Sequence, residues 1–291
     1  MIEKTCERGG VMKSILTVVA DGSARAALET AHLAAQRFKS HIVGLHVMTT
    51  EYAVVFGGEM GFSISSEVDR TLEREGQDRR EQARRLFRDF MSERGVALGS
   101  AAGPSGVSAE WREEEGRQNA VVGALGRVFD LIVVERPPKL ASLAEATLED
   151  ALFESGRPVM MAPPRTGPTM GETVVIAWNM STETALTVNG ATPFLKQAKD
   201  VRVISVETAV LPGPTAEELA TALSRHGIKA TARHVTTKAS PGGVWLEECR
   251  AAGADLLIKG AYTQSRLRQM IFGGATREII MEADLPVLMA H

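Results

Sequence analysis

The chain has 291 residues, about twice the ~150 of an average domain, which predicts two domains. Its 33 Lys+Arg against 36 Asp+Glu, a net charge of −3, exclude a protein that grips nucleic acid through a surplus of basic side chains. The 44% hydrophobic content excludes a disordered chain, and only 5% aromatics point to a core of small aliphatic residues, as in α/β layers.

Residues 1–12 read as a loose leader, and Met12 competes with Met1 as the start. They lack the apolar h-region of a signal peptide, and no run approaches the ~20 apolar residues that span a bilayer, so no membrane is expected and a cytoplasmic location is. The two cysteines, Cys6 and Cys249, make no C-x-x-C pair. That excludes a disulfide framework and fits a reducing compartment, with Cys249 expected as a buried helical residue. The six histidines show no metal-ligand spacing.

A first domain is expected over 13–163. Strands fall at 14–20, 41–48, 107–113, 130–135 and 158–162, and helices at 24–38, 67–94, 116–127 and 142–155. Strand one (SILTVVA) ends in Asp21-Gly22-Ser23, with Ser23 expected as a helix N-cap. An apolar, glycine-bearing insertion occupies about 49–66 and reads as a loop over its own or the partner domain, or as a flap over a pocket. The helix at 67–94 interleaves Arg79, Arg80, Arg84, Arg85 and Arg88 with Glu73, Asp78, Glu81 and Asp89, which suggests a solvated face laced with i,i+4 pairs. After strand four stands Glu135-Arg136-Pro137-Pro138, where proline offers no N–H and Glu135 would repel phosphate.

The breaker cluster PPRTGP marks a linker over 164–170, and a second domain follows over 171–291. Its strands fall at 173–178, 200–206, 229–236, 255–259 and 286–290, and its helices at 182–197, 215–226, 242–252 and 273–283. The copies correspond. TVVIAW ending in Asn179-Met180-Ser181 answers SILTVVA, with Asn179 158 residues after Asp21. Leu285-Pro286-Val287 answers Arg157-Pro158-Val159 at a spacing of only 128, so the first copy carries the insertion. Strand–helix alternation in both copies predicts two tandem Rossmann-like α/β domains, each a five-stranded parallel sheet covered by helices on both faces.

Ligands of such sheets bind beyond the carboxyl ends of the strands. In the second copy, strand four runs into Gly260, then a loop bearing Arg266 and Arg268, then Gly273-Gly274 and Ala275 at a helix start. Gly260 would admit close approach of backbone to a ligand, and the helix start would offer unpaired N–H groups to a phosphate. Turn and cap glycines explain the same residues without a ligand. No residue set places a base, nucleophile or metal, so catalysis is not expected.

The run GAYTQSRLRQMIFGGATRE, with the closing LPVLMAH, resembles the universal stress protein family in its tandem form. The resemblance covers 14–291 and implies the adenine nucleotide alpha hydrolase-like version of the Rossmann fold. The family's G-x2-G-x9-G-(S/T) motif maps onto Gly260, Thr263, Gly273 and Gly274, so Thr263 replaces one glycine and Gly274 the hydroxyl residue. Asp21 matches the family's strand-one acid that contacts the nucleoside, and Asn179 is its counterpart. The resemblance implies stress response through binding, with ATP or another adenine nucleotide, accompanied by Mg, in the second domain. It also implies pairing of the domains through their last strands as an intramolecular pseudo-dimer, with homodimerisation open. A nucleotide-independent scaffold with an unknown protein partner and a slow ATPase switch are the competing readings.

Overall fold

The computed structural model describes residues 12–48, 66–99, 106–139, 142–261 and 274–291, and among them the side chains of 66–70 and 72 are left aside. The leader up to residue 11 and the insertion at 49–65 lie outside the described residues. In the first half the strands are β1 (Ser14–Val18), β2 (His41–Met48), β3 (Ala97–Leu98), β4 (Ser108–Glu115), β5 (Leu131–Glu135) and β6 (Val159–Ala162). The helices are α1 (Arg25–Phe38), α2 (Ser66–Glu93), α3 (Gln118–Gly126) and α4 (Leu143–Glu154). The second half continues with β7 (Thr173–Ala177), α5 (Thr182–Gly190), α6 (Thr192–Gln197), β8 (Asp200–Val206), α7 (Ala216–Ser224), β9 (Ala230–Val235), α8 (Pro241–Ala252), β10 (Leu256–Gly260), α9 (Gly274–Glu282) and β11 (Val287–Ala290).

The described strands form one sheet in the order β3-β4-β2-β1-β5-β6-β11-β10-β7-β8-β9. Setting aside the two-residue β3, each half orders its strands third-second-first-fourth-fifth, the Rossmann arrangement, with the order reversing between the first and fourth strands. Pairing is parallel within each half. It is antiparallel at the junction, where Val287, Leu288 and Met289 of β11 face Met161, Met160 and Val159 of β6. The carboxyl ends of the strands therefore emerge on opposite edges of the joined sheet in the two halves.

Central strands are buried on both faces, which suits their apolar runs (LIVV in β5, VMMA in β6). On one face the core runs from Leu28, Phe87 and Phe90 through Leu288 to Phe194 and Trp178. On the other it runs from Leu16 and Leu152 through Met161 to Trp245 and Ile280. Both cores thus cross the junction. Alanines 27, 31, 34 and 35 line the buried side of α1 and let the helix lie close on the sheet. The neighbouring Phe38 meets Phe194 edge-on, with ring centroids 4.8 Å apart. Arg37 reaches over the same junction to donate to Met170 O (3.3 Å), Gly171 O (2.9 Å) and Gln197 O (2.7 Å).

Three local details depart from the sequence expectations. The helix expected over 182–197 is two, α5 and α6, parted at Ala191, because Pro193 has no N–H to continue the ladder. Ser181 caps α5 through Thr184 N (3.1 Å), but Ser23 does not cap α1. Its hydroxyl donates instead to Asp21 Oδ1 (2.6 Å). On α2, Arg80 and Arg84 bypass their helical neighbours and both grip Glu113 of β4, at 2.6 and 2.5 Å.

Burial opposes ionisation of Glu113, but hydrogen bonds from Arg80, Trp111 and Arg84 outweigh it and hold the carboxyl at about 2. A carboxylate depressed in the folded state stabilises fully above its ordinary 4.5 and loses that contribution as pH falls through 2. Glu113→Gln is expected to lower the unfolding free energy at pH 7 by about 2 kcal/mol. It should also remove part of the loss between pH 4.5 and 2, which urea titrations across that range would measure. Cys249, on α8, is buried, and burial pushes its thiol up to about 12, so it is inert packing.

Candidate functional site

The strand order reverses between β7 and β10 in the second half, where Ala177 pairs with Lys259. Asn179 therefore emerges beside Gly260, at the crevice this topology reserves for ligands. Asn179 Oδ1 accepts from Ser181 N (3.3 Å) and Thr184 Oγ1 (2.5 Å), tying the end of β7 to the first turn of α5. Asp21 makes the same two-residue turn in the first half, accepting from Ser23 N (2.7 Å). Each side chain shapes the loop it stands in.

Gly260 is required by its neighbours. A Cβ there would collide with Thr184 N, and would lie 2.5 Å from Thr184 Oγ1 and 2.8 Å from Glu183 C. The missing side chain thus admits the start of α5. By contrast, among the described residues nothing lies within 4 Å of a Cβ built on Gly274, which opens α9. Ala275 follows in the same first turn, and four candidate positions, Thr263, Arg266, Arg268 and Gly273, lie outside the described residues.

The residue before Gly260 was not singled out by motif. Lys259 is 4% exposed, and its ammonium donates to Gly260 O (2.7 Å) and to Thr276 Oγ1 in the first turn of α9 (2.8 Å). Burial lowers its pKa to about 8, against the opposing pull of the Glu183 charge. The signal was available in LLIKG, a charged residue inside a strand otherwise buried on both faces.

The equivalent crevice in the first half lies between β1 and β5 and is acidic. Glu135 closes β5, and burial, then the charge of Asp21, raises its pKa. The next residue, Arg136, turns away from this crevice. It donates to Met281 O (2.9 Å) and Ala283 O (3.1 Å) at the far end of α9, so the first half caps the helix that opens at the second crevice. Phe153 of α4 meets His291 edge-on (4.4 Å), and His291 Nδ1 lies 3.1 Å from Ala261 O, just after β10.

Residues 176–291 match the model of the Universal stress protein family. The chain carries a universal stress protein domain. Solved structures extend the likeness in fold to both halves. A universal stress protein from Archaeoglobus fulgidus superposes with a TM-score of 0.65 at 14% identity, covering 95% of each chain. A functionally unknown protein from Pseudomonas aeruginosa gives 0.56 at 16% identity over 96% of this chain and 92% of its own. Another Pseudomonas aeruginosa chain, assigned to the universal stress proteins, gives 0.57 at 17% over 96% and 93%. No curated protein matches by sequence. The universal stress protein domain spans β8, β9, β10, α9 and β11 and contains Asn179, Gly260, Gly274 and Ala275. Among the described residues no helix is long and apolar enough to cross a membrane.

Proposed function

We propose that this chain is a cytoplasmic tandem universal stress protein that acts by binding rather than turnover, with one nucleotide site, in its second domain. The domains are read as 13–163 and 171–291 with a linker at 164–170, joined through β6 and β11 as an intramolecular pseudo-dimer. The observation that carries the reading is the family match over 176–291, which takes in the β7/β10 crevice with Asn179, Gly260, Gly274 and Ala275. The ligand is ATP or a related adenine nucleotide with its Mg. The first-turn N–H groups of α9 would face the phosphates, and Thr263, Arg266, Arg268 and Gly273 belong to the same motif. In the first domain the adjacent carboxyls Asp21 and Glu135 oppose a phosphate chain, so that copy serves as partner and support.

Denaturing the purified protein and chromatographing the supernatant tests this directly. Near-stoichiometric adenine nucleotide, or a calorimetric signal on adding Mg-ATP, is the expected result; neither appearing would sink the reading. Gly274, whose added Cβ would meet nothing within 4 Å among the described residues, gives a second check. Gly274→Ser restores the family's hydroxyl residue and is expected to tighten ATP binding several-fold while changing stability by less than about 0.5 kcal/mol. The packing role of Gly260 favours one competitor, a nucleotide-independent scaffold, since that glycine is explained without a ligand. Absent nucleotide and absent calorimetric signal would establish it, and measurable phosphate release would favour the slow ATPase switch.

A further inference from the structure

Within the second half's crevice one charged group has no counterpart in the family motif. Successive residues of a strand point to opposite faces. Gly260 faces α5, where its missing side chain admits Thr184, so the side chain of Lys259 leaves on the other face, toward α9. There its ammonium is buried, and both of its described partners, Gly260 O and Thr276 Oγ1, are uncharged oxygens. A cation at a helix start also meets the positive end of the dipole. Lys259 is thus held where burial and the dipole both disfavour its charge, and burial holds its pKa down to about 8. Glu183 on α5 favours the charge across β10, yet its own Oε2 is buried without a hydrogen-bond partner among the described residues. Such an arrangement is relieved by an anion at the first turn of α9, which would meet the ammonium and the helix amides at once.

We propose that Lys259 is the phosphate-reading residue of this chain, its ammonium and the first-turn amides of α9 together holding a phosphate group. The assignment rests on the nucleotide reading above for the identity of the whole ligand, but not for the phosphate itself. It also gives the second half a substitute for the hydroxyl that Gly274 lacks, supplied from beneath the helix instead of from its first residue.

The test uses the full-length protein, calorimetry at pH 7, and three probes: AMP, adenosine and inorganic pyrophosphate. Lys259→Met keeps the length of the side chain and removes the charge; Lys259→Gln serves in its place if the methionine variant does not fold. Either is expected to weaken AMP tenfold to a hundredfold and leave adenosine within twofold, whereas Lys259→Arg restores most of the AMP affinity. The ligand-free Lys259→Met protein should melt lower than wild type, because Gly260 O and Thr276 Oγ1 lose a buried donor and Glu183 a nearby cation. Retained adenosine binding shows that the crevice is still folded. AMP binding unchanged in Lys259→Met, or lost equally with adenosine, overturns the assignment. Should wild type bind none of AMP, adenosine and Mg-ATP and release no nucleotide on denaturation, the nucleotide reading falls alone: Lys259-dependent pyrophosphate binding then upholds the phosphate site, and none overturns it.

Discussion

Gly260→Ala is expected to destabilise the ligand-free protein by about 3 kcal/mol, near the upper range for overpacking a filled site. The methyl group has nowhere to go. One side is backbone of Glu183 and the amide of Thr184, and these atoms are fixed by the cap that Ser181 provides and by the Thr184–Asn179 bond. Relief requires α5 to move off β10, and α5 also reaches β11, where Thr187 Oγ1 accepts from Ala290 N. Urea unfolding without nucleotide measures the effect. A loss under 1 kcal/mol, well below the range for such overpacking, would mean that the helix start yields easily and that Gly260 is needed for a ligand after all.

Leu288→Asp should cost more than about 4 kcal/mol, because a carboxylate would be placed in a fully apolar core with no partner. Leu288 is fully buried at the centre of β11, opposite Met160 of β6, and belongs to the core that both halves share. Since both cores cross the junction, the wild-type chain is expected to unfold in one cooperative transition. The variant should show either two separated transitions or none. Scanning calorimetry reads this, and a single wild-type-like transition at nearly the same temperature would show that the halves are stable without their junction.

The fold was legible in the sequence because its periodicities were plain. Two copies of strand–helix alternation, aligned through Asp21 with Asn179 and Pro158 with Pro286, foreshadow the α/β layers seen in both halves. Local alternatives were less visible. Ser23 and Ser181 hold equivalent places after the first strand, yet one bonds an aspartate and the other caps a helix, a choice made by hydrogen-bond geometry that residue type does not reveal. Arg80 and Arg84 have helical carboxylate neighbours, but a carboxylate on the underlying strand offers a drier and better-connected partner. The crevice between β7 and β10 was readable from its glycines and Asn179. Lys259 was not, since only the turn of α9 onto β10 gives that lysine its setting.

The antiparallel seam between β6 and β11 has a consequence of its own. Two separate chains joined in this way would come apart on dilution, and every substitution in one would be repeated in the other. A single polypeptide keeps the partner strand at an effective concentration that dilution cannot lower. It also lets each copy vary alone. The first copy could acquire Glu135 and its prolines, and lend Arg136 and Phe153 to its neighbour, without altering the crevice it supports. Fusion in this protein makes asymmetry heritable.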